Sequence, residues 1–323
     1  MFYTNKLYKT YFFSYHRKFK KMRTRFAPTP SGFLHIGNAY SFLLTWILAR
    51  QTEDGQILLR IDDIDSTRSR DEYIEDIFET IDWLGIDYDQ GPFGVDDFKK
   101  NWSQELRTHR YQKAFDQLKE HNDLFACTCS RKDIYEQSPS GIYTGKCSTL
   151  QLPLDTPNAA TRIKTSSAPI ILEDLFIGDV AIDLEQTMKD FVIKRKDGLF
   201  SYQLASLIDD EDDGIDFIVR GEDLVESTAA QIFLGNKLEL NNFEEVEFLH
   251  HPLLVDEKGE KISKSTGSDS IKSLREQGMT PEEVYSGFAE FYLGQEVNVT
   301  NIEQLLEINF IEDEEENWED EEE

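Results

Sequence analysis

Apolar residues recur along the chain with two different periods, and their alternation predicts strands and helices in turn. Residues 24–27 read as a short strand, 28–34 as a Pro- and Gly-rich loop, and 35–51 as a helix with Phe42, Leu43, Trp46 and Ile47 on one face. Residues 56–61 form a largely apolar run, suited to a parallel strand buried on both sides. In 71–84, Ile74, Ile77, Phe78 and Ile81 fall at i, i+3, i+4 and i+7, which predicts a second helix. Residues 103–121 add another. The stretch 125–190 then departs from the pattern and reads as an inserted module ending in strands at 170–172 and 179–182. The alternation resumes at 190–193 and 217–219. The fold expected is α/β, a Rossmann-type doubly wound parallel sheet interrupted by an insertion.

This reading divides the chain into a basic extension (1–22), a first half-domain (23–122), the insert (123–190) and a second half-domain (191–268). A short helical part (269–311) and an acidic tail (312–323) complete it. Met22 is an alternative start, because the first strand follows it at once. The 323 residues suffice for one large domain or two ordinary ones, and 39% hydrophobic with 12% aromatic residues excludes a disordered chain. No apolar run approaches the roughly 20 residues needed to span a bilayer; the longest, 42–49, is broken by Thr45. A cytoplasmic, monomeric protein without a membrane partner is expected.

Charge changes the picture more than composition does. The net charge is −29, but residues 1–23 carry seven Lys or Arg and no acid, and residues 307–323 carry eleven Asp or Glu and no base. Removing that +7 head and −11 tail leaves −25 on the middle. A body so acidic argues against an extensive phosphate-binding surface and leaves room only for a small footprint on RNA. Three cysteines build no disulfide framework; their tight spacing suggests a metal or reduced thiols.

Two segments carry candidate chemistry. In 25–38, RFAPTPSGFLHIGN, Gly32 permits close backbone approach, and His35, Gly37 and Asn38 fall at a helix start, where free N–H groups and the helix dipole favour a phosphate. In 261–265, KISKS, Lys261 and Lys264 stand three apart beside small hydroxyls and between glycines, a composition suited to a triphosphate. Arg25 and Arg220 offer planar forks for carboxylates, although strand-end charges of no special purpose look the same in sequence. Cys127 and Cys129, with Cys147 eighteen residues on, could wrap a tetrahedral zinc with the Tyr143 oxygen as an unusual fourth ligand, or could be three buried thiols.

Taken together, HIGN and KISKS, about 225 residues apart, resemble the HIGH and KMSKS signatures of class I aminoacyl-tRNA synthetases. RFAPTPSGFLHIGNA and LLRIDDID resemble the opening and the LLRIEDTD strand of the glutamyl-type enzymes, and YQLASLIDD (202–210) and VRGEDL (219–224) resemble their YxLAxxxDD and VRGxDL segments. The resemblance runs from about residue 23 to 293. It implies ATP with Mg²⁺, L-glutamate held by Arg25, Ala27, Thr29, Asp62, Tyr202 and Arg220, and nucleotide bound by His35, Gly37, Asn38 and Lys264. His35, Asn38, Lys261 and Lys264 would stabilise charge on the phosphates. Asp62 stands where the family carries Glu and is one methylene shorter, so its contact with a substrate ammonium is the least secure of the set.

Within that family the C-x-C…Y-x3-C pattern of Cys127, Cys129, Tyr143 and Cys147 resembles the zinc module of the glutamyl-queuosine tRNA(Asp) synthetases, and Ser206 stands where full-length glutamyl enzymes usually place Asn. Only 58 residues follow Ser265, too few for the helical anticodon-binding region of those enzymes. The expected reaction is transfer of activated glutamate to queuosine in the anticodon stem-loop of tRNA(Asp), with one structural Zn²⁺. Rival readings are a truncated glutamyl-tRNA synthetase charging the 3′ end of tRNA(Glu), a non-catalytic paralogue binding glutamate or RNA, and a ligase serving a carrier protein. His121 is a weaker fourth-ligand candidate, and His250 and His251 are expected as nucleotide-pocket walls or packing.

Overall fold

The computed structural model describes residues 21–254 and 270–308. The first strand, β1 (Lys21–Phe26), pairs in parallel with β2 (Asp54–Leu59), connected by helix α1 (Ile36–Gln51). Lys21 and Met22 lie in register with Asp54 and Gly55, and Met22 is fully buried, so the last two residues of the expected basic extension belong to the sheet. A second parallel pair forms from β8 (Phe217–Gly221) and β9 (Glu247–His251). The two pairs meet edge to edge: the Asp216 N–H donates to Arg23 O at 3.0 Å, and the Arg23 N–H donates to Asp216 Oδ1 at 2.6 Å. The outer edges are extended by single rungs, Leu59 N–H to Gln90 O at 2.8 Å and Leu175 N–H to Phe248 O at 2.9 Å. The expected parallel sheet is thus built as two ladders laid side by side.

Helix α1 is buried nearly all round rather than on one face. The reason is a second partner: helix Pro281–Leu293 packs on the side away from the strands, with Phe288 edge-on to Tyr40 at 5.5 Å and Phe291 at 5.9 Å. Thr280 and Glu283 cap that helix reciprocally, Pro281 opens it, and Gly294 closes it in the left-handed region at φ 65°. Gln51 Nε2, at the far end of α1, donates to Leu306 O and Ile308 O. Helix α2 (Asp71–Trp83) buries Ile74, Ile77 and Ile81, as its spacing predicts, and sends Asp76 Oδ2 to the Leu34 N–H at 2.9 Å, fixing the loop before α1. The region 103–121 begins as a 3₁₀ turn, Gln104–Arg107, before helix Thr108–Glu120 buries Tyr111, Ala114, Phe115 and Leu118.

The insert holds β3 (Leu124–Cys127), β4 (Ala160–Ile163), the hairpin β5 (Ile170–Leu172) and β6 (Val180–Ile182), and β7 (Val192–Lys194). The last of these corrects the sequence reading: β7 does not rejoin the parallel sheet but pairs antiparallel with β4, in the order β3-β4-β7. A short apolar run carries no mark of its partner, and the α/β pattern returns only with helix Tyr202–Asp212 and β8. No helix among the described residues is long and apolar enough to cross a membrane.

Candidate functional site

A cleft of about 220 Å³ opens at the C-terminal ends of β1 and β8, against the N-terminus of α1, where open α/β sheets generally bind ligands. Arg25 and Arg220, each 4% exposed, come from these two strand ends. His35, Gly37, Asn38 and Tyr40 form the wall from α1; Tyr202, His251, Leu254, Phe291 and Tyr292 close other sides.

The two arginines are held differently. Arg25 Nε donates to Asp210 Oδ1 at 3.0 Å and Nη1 to Val219 O at 3.3 Å. Arg220 Nη1 donates to Gln231 Oε1 at 2.8 Å, while Nε and Nη2 are buried without a hydrogen-bond partner. Burial lowers the Arg220 pKa, with Arg25 and Arg60 adding to the effect and Tyr202 and Asp210 opposing it; a guanidinium nonetheless remains charged in a protein. A buried cation with two idle donors is costly unless an anion supplies the acceptors. This end of the cleft is therefore suited to a carboxylate.

The other end is suited to a phosphate. Helix α1 runs 16 residues from His35 as its N-cap and presents its free N–H groups here. The His35 N–H donates to Asn38 Oδ1 at 3.0 Å, which fixes the amide so that Asn38 Nδ2 is the donor left for the cleft. Gly37 keeps this turn open: a Cβ there would stand 3.1 Å from the His35 ring, which would have to give by a few tenths of an ångström.

Of the predicted site residues, the structure gathers Arg25, Ala27, His35, Gly37, Asn38, Tyr202 and Arg220 around this cleft. Thr29 is exposed and does not line it. Asp62 does not line it either: its oxygens are taken by Arg60, Nε at 2.7 Å and Nη2 at 3.2 Å, in a buried pair. Lys261 and Lys264 lie outside the described residues. His251 is a cleft wall, whereas His250 is core, bonded to Thr228 Oγ1 at 2.7 Å and Asp174 Oδ2 at 2.6 Å.

Behind the cleft floor lies an ionic cluster that sequence reading missed. Arg60 Nη1 donates to Asp210 Oδ1 at 2.6 Å, the oxygen that also accepts from Arg25, and Arg60 Nη2 donates to Ser206 Oγ at 3.0 Å. Asp209 accepts from Tyr111, Gln104 and Arg107. Burial alone would raise the Asp210 pKa, but Arg60, Arg25 and Arg220 outweigh it and hold the carboxyl below its ordinary range. Asp62 is pushed the other way, to about 6, by burial, with Asp209 and Asp210 adding to the effect against the pull of Arg60. The available signal was an arginine inside the apolar strand LLRI and two adjacent acids directly after the apolar residues Leu207 and Ile208 of one helix.

In the insert, Cys127, Cys129 and Cys147 bring their sulfurs within 4.8 Å of one another, with Cys129 and Cys147 3.6 Å apart. Thiolates about 2.3 Å from a tetrahedral zinc would stand roughly 3.8 Å from each other, so the donor set fits that ion. The Tyr143 hydroxyl accepts from the Cys147 N–H at 2.6 Å, and its ring lies under the Arg162 guanidinium at 4.0 Å. The Cys147 thiol is held down at about 7, burial being outweighed by donation from the Thr128 backbone and the other two thiols. Phe125, Cys127, Tyr143 and Cys147 form a small apolar cluster separate from the two main cores, a size of core that generally needs a staple.

Comparison with known proteins agrees with this geometry. Residues 21–319 match the family described as tRNA synthetases class I (E and Q), catalytic domain. The chain is 34% identical over 271 residues to a glutamyl-Q tRNA(Asp) synthetase of Nitratidesulfovibrio vulgaris, covering 80% of this chain and 82% of that protein. It is 32% identical over 311 residues to a glutamate–tRNA ligase of Sulfurihydrogenibium sp., covering 90% of this chain and 63% of that one. Among solved structures, a glutamate-tRNA synthetase from Elizabethkingia anophelis superposes with a TM-score of 0.73 at 24% identity, over 90% of this chain and 66% of the other. That last likeness speaks for the fold alone.

Proposed function

The chain belongs to the class I tRNA synthetase family of the E and Q type, and on that premise we propose that it activates L-glutamate with ATP and passes the glutamyl group to queuosine at the wobble position of tRNA(Asp). The observation that carries the amino-acid half is the Arg220 guanidinium, buried on the cleft with Nε and Nη2 idle beside Arg25. A dicarboxylate supplies the acceptors they lack. The tRNA half rests on the cysteine and tyrosine pattern of the insert and on the 82% coverage of the glutamyl-Q relative.

In this reading the α-carboxylate oxygen of glutamate attacks the α-phosphorus in line, the bond to the β-phosphate oxygen breaks, and pyrophosphate leaves. A hydroxyl of the queuosine cyclopentene diol then attacks the acyl carbon of the adenylate, releases AMP, and gives its proton to solvent. No covalent bond to the protein forms. Catalysis is placement plus electrostatics: Arg25 and Arg220 hold substrate carboxylates, while the α1 N-terminus, His35 and Asn38 Nδ2 meet the phosphates. Lys261 and Lys264 are assigned to the same phosphates by their motif. Magnesium enters with ATP and neutralises phosphate charge. A zinc held by Cys127, Cys129, Cys147 and the Tyr143 oxygen would pin the loops of the insert.

A charging assay with labelled glutamate tests this, comparing queuosine-containing tRNA(Asp), queuosine-free tRNA(Asp) and tRNA(Glu). Label on the first alone, recovered on the anticodon fragment and not on the 3′-terminal adenosine after ribonuclease digestion, is the expected result. Label on tRNA(Glu) would make the protein a 3′-end glutamyl-tRNA synthetase instead. Absence of label together with absence of glutamate-dependent pyrophosphate exchange would leave a binding paralogue.

A further inference from the structure

Resting on glutamate as the substrate of the cleft, we infer that Asp62 is a positioning residue that sets Arg25 through Arg60 and Asp210, and is not the acid that meets the substrate ammonium. Asp62 and Arg60 are two residues apart just past the end of β2, where their N–H groups still donate to Pro28 O and Phe26 O at 2.9 Å, so in this extended backbone they share a face. A carboxylate one methylene shorter than Glu reaches Arg60 on that face and grips it with both oxygens, at 2.7 and 3.2 Å. The grip occupies Nε and Nη2 of Arg60, leaving Nη1 for Asp210 Oδ1 at 2.6 Å. The same oxygen accepts from Arg25 Nε at 3.0 Å.

One carboxylate oxygen therefore serves two guanidiniums, and its division depends on how well Arg60 is satisfied elsewhere. With its charge met by Asp62 and its Nη2 also on Ser206 Oγ at 3.0 Å, Arg60 leaves Asp210 shared. Without Asp62, Arg60 is a buried cation short of a partner, and Asp210 is the nearest remaining acid bonded to it. Asp210 is then drawn to Arg60, and Arg25 keeps only the longer bond to Val219 O, losing the carboxylate contact that steadies its plane. Such charge-assisted bonds in a buried setting are the strong and geometrically specific ones.

Asp62→Asn keeps the shape and removes the charge; Ser206→Ala is a milder loosening of the same arginine. The measurement is glutamate-dependent pyrophosphate exchange, which needs no tRNA, with glutarate as a competitor that has both carboxylates and no ammonium. Expected for Asp62→Asn is a rise of about tenfold in both the glutamate KM and the glutarate inhibition constant, and for Ser206→Ala about threefold in both, as one or part of one charged contact implies. The ATP KM should stay within about twofold, a split that general loss of structure would not give. If Asp62→Asn weakens glutamate while the glutarate constant holds, Asp62 meets the ammonium and the inference is overturned. Failure of glutarate to compete with the unmutated enzyme also overturns it, since the carboxylate grips would then not carry binding. No exchange at all in the unmutated enzyme defeats the proposed function and takes this inference with it.

Discussion

Gly287 lies so close to Tyr40 that a methyl group on its Cα would stand 2.5 Å from the tyrosine hydroxyl oxygen. Tyr40 is 3% exposed and packed against Phe288 and Phe291, so its ring has little space to yield. Gly287→Ala should therefore lower stability by about 1–3 kcal/mol, the usual cost of overpacking, although alanine is the better helix former. Urea unfolding measures this. Adding Tyr40→Phe, which deletes the offending oxygen, should restore most of the loss.

Arg220 gives a prediction in which activity and stability move in opposite directions. Its Nε and Nη2 and the Nε2 of its partner Gln231 are buried donors without acceptors. Replacing both members together, Arg220→Met with Gln231→Leu, removes those unsatisfied groups and should raise stability by about 1–2 kcal/mol. Pyrophosphate exchange should fall by at least about 100-fold, the scale of losing a buried charged contact to substrate. A melt and an exchange assay on one preparation decide it.

His250 sets a pH dependence. Burial lowers its pKa from the ordinary 6.5, the hydrogen bond to Asp174 opposes this, and the Arg220 charge adds to the lowering. The unfolded chain then binds a proton that the folded chain refuses, so stability from this group is full above about 6.5 and is lost as pH falls toward the folded-state value. Urea midpoints at about pH 7.5 and 5.5 should show that loss. His250→Gln should be less stable at pH 7.5 but lose less between the two.

The insert should carry about one zinc per chain by atomic emission. Cys129→Ser or Cys147→Ser should abolish that metal, and a strong chelator should lower the melting temperature of the unmutated protein while leaving the Cys→Ser variants unmoved. Metal retained in both variants would contradict the assignment.

Much of the cleft is legible in sequence because its polar residues sit in two short, patterned segments. Residues 25–38 place a strand end, a turn and a helix start in consecutive positions, so Arg25, His35, Gly37 and Asn38 come together by local geometry. Arg220 joins them because β8 lies beside β1, which the strand pattern allows but does not demand. Asp62 enters the predicted set through the resemblance, which marks the position and not its partners; in the structure Arg60, two residues back, takes both its oxygens. Tyr40, Phe291 and Tyr292 were missed because apolar and aromatic walls look like ordinary core. The antiparallel pairing of β7 was hidden because pairing is a property of two segments, and its partner β4 lies about thirty residues away.

The packing of helix Pro281–Leu293 on α1 has a consequence for how the protein is made. The cleft is walled by residues near both ends of the described chain, Arg25 at one and Tyr292 at the other, and the strand carrying Arg25 is joined to residues about 190 positions later. Contacts of such separation form late and slowly, after the entropy of closing large loops has been met. On the ribosome, β1, α1 and β2 emerge early with the apolar faces of α1 uncovered, and wait for helix Pro281–Leu293 to be synthesised. The nascent chain is thus exposed to misassociation over that interval, and the competent cleft does not exist before this helix does.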